Sequence, residues 1–464
     1  MITLFRSDTV TKISDLKAQM ANHVRQLPAK ISPIGESLKI LRLELRCEPI
    51  NILAWLHNQK ANTKIYWSGR DGTVETGGIG IADGLKGSGK FNYKEMFDYM
   101  EDRLSSDNPR LRYYGGVGFN PLSNEKEWTE FGTYQFVVPQ FEFIRVNRQT
   151  IFAFNIAVDD INPKNTEHIL AILEHMDFSA ETKYRKVPQI LGRTDVPDRG
   201  GWNKLFKKIH DQHNRREYEK IVLARRSDFE FNVNIHPDAL IKHLKDQTPE
   251  CFHYCFQFFN HLAYLGATPE RLYKRKDRKI SSEAIAGTRP RGMDEARDRA
   301  LADELLNSTK DAKEHKYVVD AIQTALAPLC KSLTYDPRFT LKKWQGSQHL
   351  VTQFEGELDS KVIDHHILAA LHPTPAVAGY PIQAAIEAII QLEPFNRGWY
   401  AGPVGYVGYN EAEFAVAIRS GLVQQNRLSL FSGAGIVSGS TAQEEWDEIE
   451  NKIGNFIKVF ERAP

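Results

Sequence analysis

Short apolar runs separated by turn residues recur along most of this chain, and they constrain its fold more than any other feature. Examples are residues 64–69, 150–158 and 427–437, and turn-forming stretches such as SGRDG, KGSGK and NPKN lie along the same chain. Segments with apolar residues at helical spacing, such as residues 165–176, also occur. Many strands with helices between them predict an α+β fold built on large, mostly antiparallel sheets.

Length and charge narrow the possible partners. The chain has 464 residues, enough for several domains or for one large domain with a smaller companion. Its 60 basic and 59 acidic residues give a net charge of +1, whereas a general nucleic-acid binder needs an excess of basic residues to displace counterions. We therefore expect no nucleic-acid partner, and any anionic ligand must be held by a few well-placed cations.

A segment rich in glycine, proline and charge, residues 191–201, is typical of a connection between two parts of a chain. It predicts an N-terminal subdomain of residues 1–195, which completes the sheet core, and a catalytic region of residues 196–464. The N-terminal part contains no motif that can be assigned.

The cysteines and the chain start bear on the cellular compartment. Cys251 and Cys255 flank His253 in an apolar run, but structural zinc sites usually show two close ligand pairs, so we interpret them as reduced core thiols. Such thiols fit a reducing cytosol. The first dozen residues contain charges and no long apolar stretch, and no run of about 18 apolar residues occurs anywhere, so we expect neither a signal peptide nor a membrane span. A cytoplasmic protein is the expectation.

Two acidic helical segments are candidates for a metal site. Glu445, Glu448 and Lys452 fall at i, i+3 and i+7, which places them on one helical face after the glycine-rich stretch FSGAGIVSGS. Asp311 and Glu314 share a face of a long helix predicted over residues 293–329. Each segment alone could be a solvated surface. Together they could supply the carboxylate oxygens that Mg²⁺ prefers.

Other candidates lie on strands and turns. The AGT turn at Gly287 and Thr288 follows a predicted strand and offers backbone donors to an anion, although a simple tight turn would explain the glycine. Arg419 stands in an otherwise apolar predicted strand, where it must either pair with an internal acid or meet an anionic ligand. Lys220 lies at a helix-to-strand junction. The Pro–Thr–Pro run in residues 371–379 must be extended.

The order of these stretches resembles the chorismate-utilising enzymes. The segments that carry the resemblance are KIVLAR, ATPERL, EAIAGTRPRG, KDAKEH, LHPTPAVAG, WYAGPVGY, EFAVAIRSG, GAGIVSGS and EEWDEIENK, which cover about residues 200–460. The family includes isochorismate, anthranilate, aminodeoxychorismate and salicylate synthases, and the strongest likeness is to isochorismate synthases of the menaquinone pathway. The resemblance implies two large, mostly antiparallel sheets packed face to face, with helices on the outside.

It also implies roles for individual residues. Lys220 matches the base that activates water, which it can do only when neutral. Glu270, in A-T-P-E-R-L where the family usually has serine at the position of Thr268, matches the acid that protonates the leaving hydroxyl and so needs a raised pKa. Glu314 and Glu448 match Mg²⁺ ligands, with Glu445 and Asp311 in support. The residues that match the substrate-binding positions are Gly287, Thr288, His372, Thr374, Tyr400, Arg419, Gly433 and Lys452.

Two positions separate the branches of the family. Anthranilate synthases generally carry glutamine where Lys220 stands, so the lysine favours water as the nucleophile. Many aminodeoxychorismate synthases carry a nucleophilic lysine where this chain has Ala286, and no glutamine amidotransferase partner is expected. These features predict an isomerase that converts chorismate to isochorismate with Mg²⁺, acting as a monomer or homodimer in menaquinone or siderophore biosynthesis. A salicylate synthase and a catalytically silent chorismate-binding protein remain alternatives.

Overall fold

Two β-sheets form the body of the protein. The structure is a computed structural model that describes residues 6–27, 39–120, 126–179, 188–214, 217–344 and 346–461. Within these ranges the strands are β1 (Arg6–Thr11), β2 (Ile40–Cys47), β3 (Lys64–Ser68), β4 (Val74–Ile79), β5 (Asp83–Gly87), β6 (Arg112–Val117), β7 (Tyr134–Val138), β8 (Phe141–Val146), β9 (Gln149–Ala157), β10 (Ile190–Val196), β11 (Lys220–Phe231), β12 (Phe252–Phe259), β13 (Leu262–Thr268), β14 (Arg271–Lys276), β15 (Lys279–Pro290), β16 (Cys330–Tyr335), β17 (Thr340–Lys343), β18 (Ser347–Leu358), β19 (Gly379–Tyr380), β20 (Pro403–Gly408), β21 (Glu411–Val416), β22 (Ser420–Gln424) and β23 (Arg427–Val437).

Helices connect these strands. In the described ranges they are α1 (Ile13–Arg25), α2 (Ile52–Asn58), α3 (Tyr93–Glu101), α4 (Pro163–His175), α5 (Arg199–Asn214), α6 (Pro237–Gln247), α7 (Glu295–Asn307), α8 (Thr309–Leu326), α9 (Asp364–Leu371), α10 (Ile382–Leu392) and α11 (Ala442–Glu461). No helix in this part of the chain is long and apolar enough to cross a membrane.

The larger sheet has 13 strands in the order β1-β2-β9-β8-β4-β3-β12-β13-β22-β23-β11-β10, with β19 paired to β11. The smaller has 10 strands in the order β16-β18-β15-β14-β21-β20-β6-β7-β5, with β17 paired to β18. Among the described strands only the β1–β2 pair is parallel. The predicted α+β fold with two large, mostly antiparallel sheets is therefore confirmed.

The two sheets share one apolar core. Trp67 of the larger sheet packs edge-on against Tyr406 of the smaller one, with ring centroids 6.1 Å apart. A hydrogen bond of 2.9 Å also joins the hydroxyls of Thr76 and Tyr114 across the interface. Because all four side chains are fully or almost fully buried, the sheets pack face to face.

Strands from both parts of the chain enter both sheets. Strand β3 pairs with β12 in the larger sheet, and β6 pairs with β20 in the smaller one. The expectation that residues 191–201 form a connection is wrong, since Ile190–Val196 is strand β10 and helix α5 begins at Arg199. The glycine is tolerated there because β10 is an edge strand paired only with β11. The predicted boundary at residues 195 and 196 falls inside this strand.

The structure agrees with the interpretation of Cys251 and Cys255 as reduced thiols in the core. Cys251 and Cys255 are free and buried. His253 between them forms a hydrogen bond of 3.0 Å with the hydroxyl of Thr248, and no group of three metal-ligating side chains occurs in the described part of the chain.

Candidate active site

Two neighbouring chain segments pass from one sheet to the other side by side. Strand β13 in the larger sheet continues through Pro269 and Glu270 into β14 of the smaller sheet. Strand β21 in the smaller sheet continues through residues 417–419 into β22 of the larger one. The two crossovers are bonded to each other, because Ala267 N donates to Arg419 O (3.2 Å) and Val416 N donates to Glu270 O (3.0 Å). Strands that switch sheets in this way form corners.

These crossovers border a cavity of about 240 Å³. Its volume is near the lower end of the range for small-molecule sites, which suits a substrate with a single ring. All but two of the predicted site residues line it: Lys220, Glu270, Gly287, Thr288, Asp311, Glu314, Tyr400, Arg419, Gly433, Glu445, Glu448 and Lys452. The structure thus brings together residues that are more than 200 positions apart in the sequence.

Lys220 opens strand β11 and is fully buried. Its Nζ lies 2.9 Å from Glu314 Oε1, but the geometry of this contact is not that of a hydrogen bond, and Nζ has no hydrogen-bond partner among the described residues. The contact is therefore an ion pair with donor capacity to spare. A glycine makes room for it, since a Cβ on Gly435 would lie 2.8 Å from Glu314 Oε1 and 3.2 Å from Lys220 Cε.

Glu270 lies in the crossover and is 6% exposed. Burial, reinforced by the negative charge of Glu283, raises the pKa of Glu270 to about 8, although Lys220, Arg419 and Lys452 act in the opposite direction. A carboxylic acid with this pKa carries its proton at neutral pH and can donate it.

Arg419 does not lie in a strand, contrary to the prediction. Strand β21 ends at Val416 and β22 begins at Ser420, so Arg419 occupies the bend between the sheets with φ of 50°. It forms no ion pair with any acidic residue in the described part of the chain, although it faces the cavity. The guanidinium is therefore available to an anionic ligand.

Helix α11 presents Glu445, Glu448 and Lys452 to the cavity, as the spacing predicts. Lys452 Nζ lies 2.7 Å from Glu448 Oε1 and donates to Gly433 O at 2.8 Å. Burial pushes the pKa of Glu448 upward, but Lys452, Lys310 and Lys220 outweigh it and the net pKa is below the ordinary value. Glu445 is 2% exposed, and burial together with Glu448 raises its pKa.

Helix α8 carries the second acidic pair. The single helix predicted over residues 293–329 is two helices, because Ser308 ends α7 and caps α8 by accepting a hydrogen bond from Asp311 N at 3.2 Å. Asp311 itself is held by Arg289 Nη2 at 3.0 Å. Its carboxylate is thus occupied, whereas Glu314 projects toward Lys220.

Strand β15 supplies another part of the cavity lining. The predicted turn at Gly287 and Thr288 is instead a β-bulge inside a strand that runs to Pro290, with Gly287 at φ of 81°. Thr288 Oγ1 and His349 Nδ1 are 2.9 Å apart. The bulge is needed because a strand without it would carry Thr288 to the other face of the sheet.

The acidic residues do not form a ready-made metal cluster. Among the residues that the structure describes, no three histidine, cysteine or acidic side chains lie close enough to hold an ion. Glu314 and Glu448 each contact a lysine instead. The donor set is nevertheless of the oxygen type that suits Mg²⁺.

Comparison with known proteins agrees with this geometry. The model of the chorismate binding enzyme family matches residues 30–461. The chain belongs to the chorismate-binding enzymes. Isochorismate synthase 2 of Arabidopsis thaliana, a chloroplastic protein, is 32% identical over a region that covers 97% of this chain and 84% of that protein. Isochorismate synthase MenF of Haemophilus influenzae is 30% identical, with coverage of 97% and 96%.

A solved structure extends the likeness to three dimensions. MenF, the menaquinone-specific isochorismate synthase from Escherichia coli, matches with a TM-score of 0.82 and 25% identity, covering 96% of this chain and 100% of that one. Among the chorismate-binding enzymes, the chain therefore belongs with the isochorismate synthases, which are isomerases.

Two residues predicted to bind substrate in this chorismate-binding enzyme lie elsewhere. His372 and Thr374 do not line the cavity. The His372 ring contacts Gly118 O (3.3 Å) and packs edge-on against Phe119, with centroids 6.3 Å apart. Thr374 is 4% exposed, and its carbonyl accepts hydrogen bonds from residues 377 and 378 in a turn. The turn directs the following residues, Ala376 and Val377, to the cavity instead.

Other residues line the cavity but were missed. Lys310 lies 3.3 Å from Glu445 and stands in the same KDAKEH segment as the predicted acids. Arg289 follows Thr288 directly and reaches Asp311. His349 comes from β18, and burial, with Arg419 and Lys452 nearby, lowers its pKa to about 3. The two cations could have been found from their motifs, whereas nothing around His349 in the sequence indicated a site.

Proposed function

We propose that the protein converts chorismate to isochorismate in a Mg²⁺-dependent reaction, with Lys220 as the base and Glu270 as the acid. The observation that carries the proposal is the acid itself. Glu270 is buried in the same cavity as Lys220 and has a pKa near 8. A protonated carboxyl and an amine in one cavity are what addition of water and loss of a hydroxyl require.

The reaction moves a hydroxyl without oxidation or reduction. Water adds at C2 of the chorismate ring while the hydroxyl at C4 leaves. Lys220 takes a proton from the attacking water, and Glu270 gives its proton to the leaving hydroxyl. One water enters and one leaves, so substrate and product are isomers.

The cations in the cavity would hold the two substrate carboxylates. Arg419, which pairs with no acid in the described chain, is the candidate for the enolpyruvyl carboxylate, together with Tyr400, which also lines the cavity. Lys452 and the Gly287–Thr288 bulge are the candidates for the ring carboxylate. Holding both carboxylates fixes the ring between acid and base, which lowers the barrier through orientation.

Mg²⁺ would be held by Glu314 and Glu448, with Glu445 in support. All three line the cavity, and the pKa of Glu448 is lowered, so it is ionised at neutral pH. When bound, the ion would neutralise the ring carboxylate. Ligation through Glu314 Oε1 would exchange the contact of that oxygen with Lys220, and the exchange would also release the amine for its role as a base.

Ala286 supports water addition over covalent chemistry. It lines the cavity, and its methyl group has no nucleophile to offer the ring. The fully buried Lys220 is then the amine best placed to activate a nucleophile.

The test is a product analysis. Purified protein is incubated with chorismate, with Mg²⁺ or with a chelator, and the products are separated by chromatography. Isochorismate formed only with Mg²⁺ supports the proposal. Salicylate with pyruvate would make the protein a salicylate synthase, and chorismate binding without turnover would make it a binding protein; either result contradicts the proposal.

A further inference from the structure

Arg70 connects the N-terminal part of the chain to the active site. It lies in the turn between β3 and β4, and its side chain is 10% exposed. The guanidinium forms a bidentate pair with Glu283 of β15, with Nη1–Oε1 and Nη2–Oε2 distances of 2.5 and 2.9 Å. Bidentate pairs of this kind fix both position and angle.

The hydrogen bonds of this pair reach both neighbours of Glu270. Arg70 Nη1 also donates to Pro269 O at 2.6 Å. On the other side, Glu283 Oε1 accepts a hydrogen bond from Arg271 N at 3.1 Å. The peptide groups before and after Glu270 are therefore tied to one guanidinium–carboxylate pair.

We propose that Arg70 positions the general acid. The inference rests on the role of Glu270 in the proposed function. Glu270 lies in the passage between two sheets, outside the ladders of β13 and β14, so the strands alone do not fix its backbone. The neighbouring crossover holds Glu270 O through Val416 N, and the Arg70–Glu283 pair holds the flanking residues from the other side. A catalytic carboxyl needs such support, because small displacements lose much of the benefit of orientation.

The same pair influences the protonation of Glu270. The groups whose charges act on Glu270 come from several elements: Glu283 from β15, Lys220 from β11, Arg419 from the second crossover and Lys452 from α11, and the Tyr400 hydroxyl also faces it. Burial and the charge of Glu283 favour the protonated acid, and the three cations oppose it. Arg70 thus fixes in place a carboxylate that reinforces the effect of burial.

The first test is Arg70→Lys. A lysine keeps the positive charge, but it cannot form the bidentate pair with Glu283 and also donate to Pro269 O. A matched control is Arg275→Lys. Arg275 forms a bidentate pair with Asp364, with the same side-chain exposures of 10% and 3%, and does not line the cavity. We expect kcat of Arg70→Lys to fall roughly 10- to 100-fold, with KM for chorismate and the melting temperature close to those of the control.

The second variant, Glu283→Gln, keeps an acceptor for Arg271 N but removes the charge. The pH above which kcat declines should move downward, because the acid then loses its proton more easily. Unchanged kcat in Arg70→Lys, or an equal loss in both lysine variants, would overturn the proposal. If Arg70→Lys does not fold, an unmoved pH profile in Glu283→Gln overturns it. A wild-type protein that makes no isochorismate would instead refute the proposed function.

Discussion

The amine of Lys220 lies 2.9 Å from the carboxylate of Glu314, with Lys220 fully buried and Glu314 partly open to the cavity. In the proposed mechanism Lys220 is the base and Glu314 is a metal ligand. An ion pair with Glu314 favours the charged form of Lys220, which cannot act as a base. The proposal therefore requires this pair to reorganise before Lys220 takes a proton.

Lys220→Ala should abolish water addition. General bases contribute about 10²- to 10⁴-fold to rates, so turnover should fall by at least two orders of magnitude. Mg²⁺ binding, measured by calorimetry, should persist, because Glu314 loses a competitor. Lys316→Ala, on the same helix as Glu314 but 71% exposed and paired with Asp320, is the control and should be fully active. Turnover of Lys220→Ala within tenfold of wild type would remove Lys220 from the mechanism.

The pH profile should report Glu270. The acid is protonated below its pKa of about 8, so kcat/KM, which reports the free enzyme, should be lost as the pH rises through that value. Glu270→Gln has no proton to give, so its turnover should fall roughly 10²- to 10⁴-fold and this limb of the profile should disappear. A residual activity with the wild-type pH dependence would show that another group is the acid.

Glu448→Gln should weaken the binding of Mg²⁺ and the binding of chorismate together. The amide keeps the size of the side chain but removes the charge that attracts the ion. The measurement is the Mg²⁺ concentration for half-maximal activity, which should rise at least tenfold. Asp447→Asn is the control, since Asp447 is exposed on the same helix and accepts hydrogen bonds from Gln443. Equal Mg²⁺ dependence in both variants would refute ligation by Glu448.

Arg419→Ala should chiefly raise KM. Loss of one member of a buried charge pair with the substrate costs on the order of 2–5 kcal/mol, and kcat should change less. Arg427→Ala provides a comparison, because Arg427 pairs with Asp228 at 2.6 Å and does not line the cavity. If KM for Arg419→Ala stays at the wild-type value, the guanidinium does not hold a substrate carboxylate.

Gly435→Ala should inactivate the enzyme without unfolding it. The new Cβ would lie 2.8 Å from Glu314 Oε1, the far end of a flexible side chain that can move aside. The melting temperature should thus change little, whereas Glu314 and Lys220 are pushed from the positions that the proposed mechanism needs, and turnover falls. Gly192→Ala, where a Cβ meets no atom within 4 Å, is the control. Full activity in Gly435→Ala would show that this close approach is not required.

The sequence predicts most of the residues that line the candidate site, but not how their side chains are held. Helical spacing was sufficient for Glu445, Glu448 and Lys452, because neighbours on a helix face remain neighbours in any fold. The AGT segment was recognised, but as a turn, since a bulge depends on the partner strand β18. The sequence predicts Arg419 within a strand, because apolar residues lie on both sides of the bend between β21 and β22.

Contacts between residues that are far apart in the sequence could not be predicted from it. Nothing near Arg70 indicates that it contacts Pro269 and Glu283, about 200 residues later. The ion pairs of Asp311 with Arg289 and of Glu314 with Lys220 cannot be predicted from the sequence either. His372 and Thr374 were expected in the site from a motif whose turn places Ala376 and Val377 there instead.

The two paired crossovers carry different residues from those that are proposed to decide the nucleophile. Glu270 and Arg419 lie on two hydrogen-bonded segments, so a shift of one sheet against the other would move the proposed leaving-group acid and the proposed substrate anchor together. Lys220 and Ala286, which decide the nucleophile in the proposed mechanism, lie apart from these segments, on β11 and β15. A new nucleophile could therefore be introduced, by evolution or by an engineer, while the departure of the C4 hydroxyl stays under the same control.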